Sequence, residues 1–163
     1  MGLTAPDSNM IALLNGRRIA ALATENDDGS IQLTAVWCLF ADSHLYVATF
    51  SRSRKARNVA ARPKASLMVD TREGRADRGV TAMGRAEIIS GDEAHRINLR
   101  IHRRYLSQAA LADPQIGPGF AAFDDVTIRI TPREWLWWDT GEVDTNYFGG
   151  KLCNTPGYLL PLD

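Results

Sequence analysis

The chain has 163 residues, of which 45% are hydrophobic and 23% are charged, and its formal net charge at pH 7 is zero. This size and composition predict one globular domain over residues 1–163, with a core at about 8–139 and a C-terminal tail at 140–163. A net charge of zero provides no overall field that attracts nucleic acid, and no segment reaches the roughly 18 apolar residues of a membrane helix. We therefore expect no nucleic-acid partner, no membrane partner and a cytoplasmic location.

The first half of the chain is predicted to form a short helix and then strands joined by hairpin-length turns. Asp7 or Ser8 is a suitable cap for a helix that ends at Asn15. The strands are predicted at 18–24, 31–40 and 45–50. Asp28-Gly29, between the first two, is typical of a hairpin turn. Both faces of the second strand are mostly apolar, which predicts that both faces are covered.

The second half is predicted to contain two helices and four strands. One helix is predicted at residues 53–62 and ends at Pro63. The other is capped by Asp92 and reaches about residue 107. The strands lie at 65–70, 79–90, 126–131 and 134–139. Gly84, inside the longest of them, predicts a bulge or a close approach of two backbones. The charged stretch 71–78, the stretch 108–122 and the tail are predicted to be irregular.

The order of these elements favours an antiparallel barrel with helices at its ends over a doubly wound parallel sheet. Hairpin-length turns join antiparallel neighbours, whereas a parallel sheet needs a crossover between successive strands. Along the predicted helix from Asp92 to about residue 107 one stripe is apolar, and the opposite side is predicted to be solvated. The arginines on that side are Arg96, Arg100, Arg103 and Arg104.

A basic segment after the third strand is the clearest functional pattern. Residues 51–69 contain six basic side chains and no acidic one. The sequence ATFSRSRKARN ends a strand and opens a helix, where free backbone N–H groups and the helix dipole favour an anion. Ser51 and Ser53 add hydroxyl donors, and Arg54 and Lys55 add charge. The pattern predicts a phosphate-binding segment; the alternative is a solvated basic helix face.

Other kinds of site receive little support. His44, His95 and His102 do not form a ligand cluster, and we expect no metal. No Walker pattern or G-x-G-x-x-G occurs, and no Ser-His-Asp, Cys-His or paired-carboxylate arrangement stands out. We identify no catalytic acid or base, which is compatible with a redox protein whose cofactor performs the chemistry.

Three segments of the chain resemble the pyridoxamine 5'-phosphate oxidase-like superfamily of flavin and deazaflavin oxidoreductases. These segments are IAALATENDDGSIQLTAVWCLF, LYVATFSRSRKARNVAARPKASLMVD and GVTAMGRAEII, and the resemblance extends over about residues 17–139. It implies a mainly β (α+β) fold, an antiparallel split β-barrel of the FMN-binding type with short flanking helices. It also implies a homodimer with the cofactor in a groove between the subunits.

The resemblance assigns cofactor-binding roles to ten residues. Those bordering the ring system are Thr34, Val36 and Trp37, and those at the phosphate are Thr49, Ser51, Ser53, Arg54, Lys55 and Asn58. The closing segment ITPREWLWW is similar to the family strand that brings an aromatic residue to the partner's cofactor, and Trp138 fits that role best, with Trp137 second.

Two departures bear on the activity. The stretch LTAVWCLF has no Lys where pyridoxamine phosphate oxidases carry one, and the tail lacks their Arg-Leu-His-x-Arg motif. The spacing SRKARN is closer to the branch that uses the deazaflavin F420. The resemblance therefore implies an F420-dependent reductase that transfers a hydride to a small unsaturated or quinone-like acceptor. The alternatives are an FMN-dependent oxidase or reductase and a non-catalytic protein that binds flavin or haem.

Overall fold

The structure is a computed structural model that describes residues 3–71 and 76–160. Its strands are β1 (Ala20–Glu25), β2 (Ile31–Val36), β3 (Leu39–Ala41), β4 (His44–Thr49), β5 (Lys64–Thr71), β6 (Arg78–Ser90) and β7 (Val126–Asp139). Its helices are α1 (Ser8–Asn15), α2 (Arg54–Ala61), α3 (Gly91–Tyr105), α4 (Gln108–Ala112), α5 (Ile116–Phe123), α6 (Thr140–Phe148) and α7 (Lys151–Asn154). No helix within the described ranges is long and apolar enough to cross a membrane.

The seven strands form one antiparallel sheet in the order β2-β1-β5-β6-β7-β4-β3. Strands β2 and β3 are consecutive in the chain but lie at the two ends of this order, and only Trp37 and Cys38 separate them. The sheet therefore curls until its two edges meet at this short link, without closing by hydrogen bonds there. This architecture confirms the predicted mainly β, antiparallel fold with flanking helices, and the open edge is the split of a split barrel.

The core lies inside the curled sheet. Strand register places Leu22, Leu67, Ala82 and Trp135 side by side on successive strands, and all four are buried. Helix α1 covers this core with its buried residues, and its N-cap is Asp7, whose Oδ1 accepts a hydrogen bond from the Met10 N–H at 2.9 Å. The cap and the end of this helix are as predicted.

Gly84 marks an irregularity in the long β6–β7 pair, as predicted. The register shifts between Met83 and Gly84, and a Cβ at Gly84 would lie 2.1 Å from the backbone oxygen of Thr131. Only a residue without a side chain permits this approach. On the opposite strand, Pro132 stands at the shift and lacks an N–H to donate to the ladder, which is tolerated at such a site.

Several predicted elements differ from those observed. The predicted strand 31–40 is two strands, because at Cys38 the backbone N–H donates to the hydroxyl of Tyr105 at 3.3 Å in place of a neighbouring strand. The two predicted closing strands are one strand, β7. The stretch 108–122 and the tail are not irregular, since they form α4, α5, α6 and α7. Of the predicted charged loop, residues 72–75 lie outside the described residues.

Helix α3 departs from its prediction at its N-terminus and at one of its arginines. Its N-cap is Ser90, and Asp92 lies in the first turn instead of capping it. Arg96, Arg100 and Arg103 are exposed as predicted. Arg104 is only partly exposed, because its Nη2 donates to the backbone oxygens of Leu14 and Gly16. This arginine ties α3 to the end of α1, so its role is structural.

The outer face of β2 also differs from its prediction. Ile31 and Leu33 are 63% and 70% exposed, so within one chain only the inner face of this strand is covered. A nearly continuous apolar run is typical of a strand covered on both faces, and no element of the described chain supplies the second cover.

Candidate functional site

A cleft of about 320 Å³ lies at the seam between the two edges of the sheet. Its walls are residues 35–37 at the end of β2, residues 48–50 at the end of β4, Lys55 from α2, and Phe120, Phe123 and Asp124 from the end of α5. We call it the Lys55 cleft. It brings together Val36, Trp37, Thr49 and Lys55 of the ten residues assigned from the sequence.

The strand register explains why a cleft opens at this position. Strand β3 pairs with β4 at Leu39↔Tyr46, and continuing that register would place Trp37 opposite Ala48 and Val36 opposite Thr49. The pairing does not continue, and these same residues line the cleft. The cleft therefore occupies the space in which the barrel would otherwise close, and strand edges without a partner strand border it.

Aromatic rings form one side of the cleft. The Trp37 ring stacks on Tyr105, with centroids 5.0 Å apart and planes within 2°, and on Phe120 at 5.5 Å. Phe50 and Phe123 are 4.7 Å apart. The Tyr105 hydroxyl donates to the backbone oxygen of Arg18 at 2.6 Å, which fixes this ring and hence Trp37. Such a wall suits a planar, largely apolar ring.

Lys55 supplies a positive charge to this apolar surrounding. It is the second residue of α2, is partly buried, and has no ion pair within 4 Å in residues 3–71 and 76–160. Burial lowers the pKa of its ammonium group, and the charge of Asp124 opposes that effect. A partly desolvated cation without a partner at a helix start is suited to an anionic ligand group.

The residues before α2 hold the backbone in position. Ser53 is the N-cap, since its Oγ accepts from the Ala56 N–H at 3.2 Å and from the Thr49 Oγ1 at 3.1 Å. Both Thr49 and Ser53 are buried. Their hydroxyls therefore shape the turn that presents Lys55, and Arg54 beside it is exposed.

Asn58 and Ser51 are occupied by other parts of the chain. Asn58 is buried, and its Nδ2 donates to Thr24 at 3.1 Å and to Asn26 at 2.9 Å, which ties α2 to the first hairpin. Ser51 donates its N–H and its hydroxyl to the two carboxylate oxygens of Asp125, at 2.6 and 2.7 Å. These hydrogen bonds lower the pKa of Asp125. The turn thus already holds one anionic group.

A buried polar network supports Asp124 from behind. His102 Nε2 lies 2.8 Å from Asp124 Oδ2, and both residues are buried. Asn98 donates to the backbone oxygens of Asp124 and Val126, and accepts from the Thr127 hydroxyl at 2.6 Å. No local pattern in the sequence indicates this network, because its members come from helix α3 and from the residues after α5, which are distant in the chain.

The remaining assigned residues lie elsewhere. Thr34 lies opposite the buried Leu22 on the inner face of the sheet, and it borders a depression separate from the Lys55 cleft. Trp138 is 40% exposed and packs over Gly79, outside the Lys55 cleft. The cofactor role of each of the ten residues stays a prediction. Among the described residues no group of three or more His, Cys, Asp or Glu is arranged to hold a metal ion.

The cleft fits a ligand that joins a planar ring to a phosphate. The aromatic wall suits the ring, and the Lys55 ammonium, which has no ion pair in the described residues, suits the phosphate. The Asp125 carboxylate on Ser51 demonstrates that this turn accepts anionic oxygens. A phosphate-bearing flavin or deazaflavin has this composition.

Known structures share this fold. A conserved hypothetical protein from Mycobacterium tuberculosis is 28% identical, with a TM-score of 0.69 over 86% of this chain and 89% of that one. An F420 reductase is 24% identical, with a TM-score of 0.60 over 81% and 98% of the two chains. An FAD-binding protein from Mesorhizobium loti is 21% identical, with a TM-score of 0.59 over 85% and 98%. At these identities the last two show the fold alone.

No curated protein sequence matches this chain. The sequence model of the family described as pyridoxamine 5'-phosphate oxidase matches residues 7–139, which is most of the chain and all of the sheet. The chain therefore belongs to the pyridoxamine 5'-phosphate oxidase family.

Proposed function

We propose that this protein is an F420-dependent reductase that transfers a hydride to a small unsaturated or quinone-like acceptor. The observation that carries the proposal is the Lys55 ammonium, partly buried and without an ion pair in the described chain, in an aromatic cleft at the open seam of the barrel. Likeness in fold to an F420 reductase supports it.

Each part of the cleft has a task in this proposal. Lys55 and Arg54 bind the cofactor phosphate, and the turn capped by Ser53 holds them in place. The end of β2 at Ala35 and Val36, with Trp37 after it, borders the ring, and the aromatic side chains exclude water from it. When bound, the cofactor supplies the hydride chemistry, and the protein supplies orientation and electrostatics.

An FMN-dependent oxidase or reductase is the second candidate. The FAD-binding protein with the same fold favours it, and the same cation and aromatic wall would serve a flavin. A non-catalytic protein that binds flavin or haem is the third candidate, because no acid or base within the cleft is assigned to a proton transfer.

We also propose that the working unit is a homodimer. Register places Ala35, Ala21, Met68, Thr81 and Leu136 in one row on the outer face of five successive strands. None of the five is buried, and the exposed Ile31 and Leu33 extend the same face. A contiguous surface of this kind, apolar except for Thr81, is typical of an interface between protein chains. Sedimentation should give about twice the chain mass of 18.0 kDa, and a monomer at micromolar concentration would contradict this proposal.

A binding titration tests the cofactor assignment. Purified protein is titrated with F420, FMN and haem, and binding is followed by fluorescence quenching for the first two and by absorbance for haem. We expect F420 to bind more tightly than FMN, and haem not to bind. Tighter binding of FMN would favour the second candidate, and binding of haem alone would reject both reductase assignments.

A further inference from the structure

Two consecutive carboxylates face the basic turn, which is the stretch from Ser51 to Lys55 between β4 and the first residues of α2. They differ in how they are held. Asp124 is buried against His102 and lines the Lys55 cleft. Asp125 is exposed, and its two oxygens accept the N–H and the hydroxyl of Ser51. Arg52 adds an attractive charge that helps to keep Asp125 ionised. A permanent negative charge therefore stands within the turn that carries the phosphate-binding residues.

This charge changes the kind of phosphate that the turn accepts. A phosphomonoester, as in FMN, carries about −1.5 to −2 charges at pH 7 and presents three acceptor oxygens. A phosphodiester, as in F420, carries one charge and presents two free oxygens. The monoester is repelled more strongly by a neighbouring carboxylate, and it also needs more donors, two of which Ser51 already gives to Asp125.

We infer that Asp125 is a specificity-determining residue that makes the site favour a phosphodiester cofactor over a phosphomonoester one. The inference rests on the proposed function and deepens it, since it gives a physical reason for F420 over FMN in this chain. Asp125 acts by its charge and by occupying the donors of Ser51. The Lys55 cleft itself, with its aromatic wall and its cation, would serve either ring.

The test compares cofactors with and without phosphate in the Asp125→Asn variant. Asparagine is nearly isosteric, and its oxygen can still accept from the Ser51 N–H, whereas its amide nitrogen cannot accept from the Ser51 hydroxyl. The substitution therefore removes the charge and one of the two acceptors that occupy Ser51. Dissociation constants are measured by fluorescence for FMN and riboflavin, and for F420 and the deazaflavin that lacks both the phosphate and the carboxylate-bearing tail attached to it. The two phosphate-free ligands report on the ring site and on correct folding, and their affinities should not change.

We expect the FMN-to-riboflavin affinity ratio to rise about three- to tenfold in Asp125→Asn, the order of size of one unit charge acting over several ångströms in a solvated site. The corresponding deazaflavin ratio should rise only about two- to threefold, because the diester carries about half the charge. Asp42→Asn is the matched control: it removes an exposed carboxylate from the turn before β4, at the opposite end of that strand, and should change neither ratio.

Two results would overturn the inference. If the wild-type protein binds F420 or FMN but Asp125→Asn raises both ratios equally or not at all, Asp125 does not select between phosphates, and the proposed function stands without it. If the wild type and the variant both bind none of the four ligands, the proposed function fails and the inference fails with it.

Discussion

The substitution Lys55→Ala tests the central assignment of the site. Lys55 contributes the only ammonium group among the residues that line the cleft, and no acid in the described chain lies within ion-pair distance of it. If the cofactor phosphate binds there, the substitution removes a charge-assisted hydrogen bond and leaves the aromatic wall intact.

The expected loss follows from the size of that bond. A hydrogen bond to a charged group contributes about 1.5–3 kcal/mol, and each 1.4 kcal/mol is tenfold in affinity. Lys55→Ala should therefore weaken binding of F420 or FMN by about ten- to a hundredfold. Burial disfavours the charged form of Lys55 and lowers its pKa. Without a ligand this ammonium has no ion pair in the described residues, so its removal breaks no such contact, and the free energy of unfolding should change by less than about 0.5 kcal/mol.

The assay is a fluorescence titration at constant ionic strength, because salt screens exposed charges. The control is Arg100→Ala, which removes an exposed positive charge from the outer side of α3. Arg104 is not suitable as a control, since it binds the backbone of Leu14 and Gly16.

Two results would refute this reasoning. Equal losses in Lys55→Ala and Arg100→Ala would mean that a diffuse positive field, and not a contact, attracts the cofactor. Unchanged affinity in Lys55→Ala would place the phosphate away from this turn, and the roles assigned around it would have to be abandoned.

Three further outcomes are expected. Gly84→Ala should lower the free energy of unfolding by about 2–4 kcal/mol in denaturant titration, because the new Cβ would lie 2.1 Å from the Thr131 oxygen. The control is Gly119→Ala, at a helix position with open space around it, which should be neutral or stabilising by up to about 1 kcal/mol. Tyr105→Phe keeps the ring stack but loses the hydroxyl that donates to the Arg18 oxygen at 2.6 Å and accepts from the Cys38 N–H at 3.3 Å. It should cost about 1–2 kcal/mol by thermal unfolding. Affinity for the phosphate-bearing cofactor should fall as the pH rises through the pKa of Lys55, which lies below the ordinary lysine value of about 10.4. The Lys55→Arg variant should retain its affinity over that range, because the guanidinium stays charged. Parallel pH profiles of the two proteins would contradict this.

Local patterns in the sequence were sufficient to predict most of the sheet and the helix at the site. Asp28-Gly29 specified the first hairpin, Ser53 and Pro63 bounded α2, and Gly84 marked the bulge, since each is a short-range signal with one favoured backbone conformation. The basic turn was visible in the same way, because its serines, arginines and lysine are contiguous in the chain.

What depended on distant contacts was not predictable in this way. The break at Cys38 requires the hydroxyl of Tyr105, which is 67 residues away. The contact of Asp125 with Ser51 spans 74 residues and reverses the expected role of that serine, from a free donor to an occupied one. Helix α5 was missed for another reason: its glycines and proline are typical of loops, although the spacing of Phe120 and Phe123 is helical.

The feature that makes this barrel split also creates its candidate site. Had β2 and β3 formed one continuous strand paired to β4, the register of Leu39↔Tyr46 would continue to Trp37↔Ala48, and the space of the cleft would be filled by a hydrogen-bonded ladder. Tyr105 prevents this by binding the backbone at the link and by stacking on Trp37, which turns that ring into a wall of the cleft. The cation at the start of α2 then lies beside an opening that the sheet itself leaves. A ligand with a flat ring and a charged end can therefore enter at the seam without displacing any residue of the barrel core.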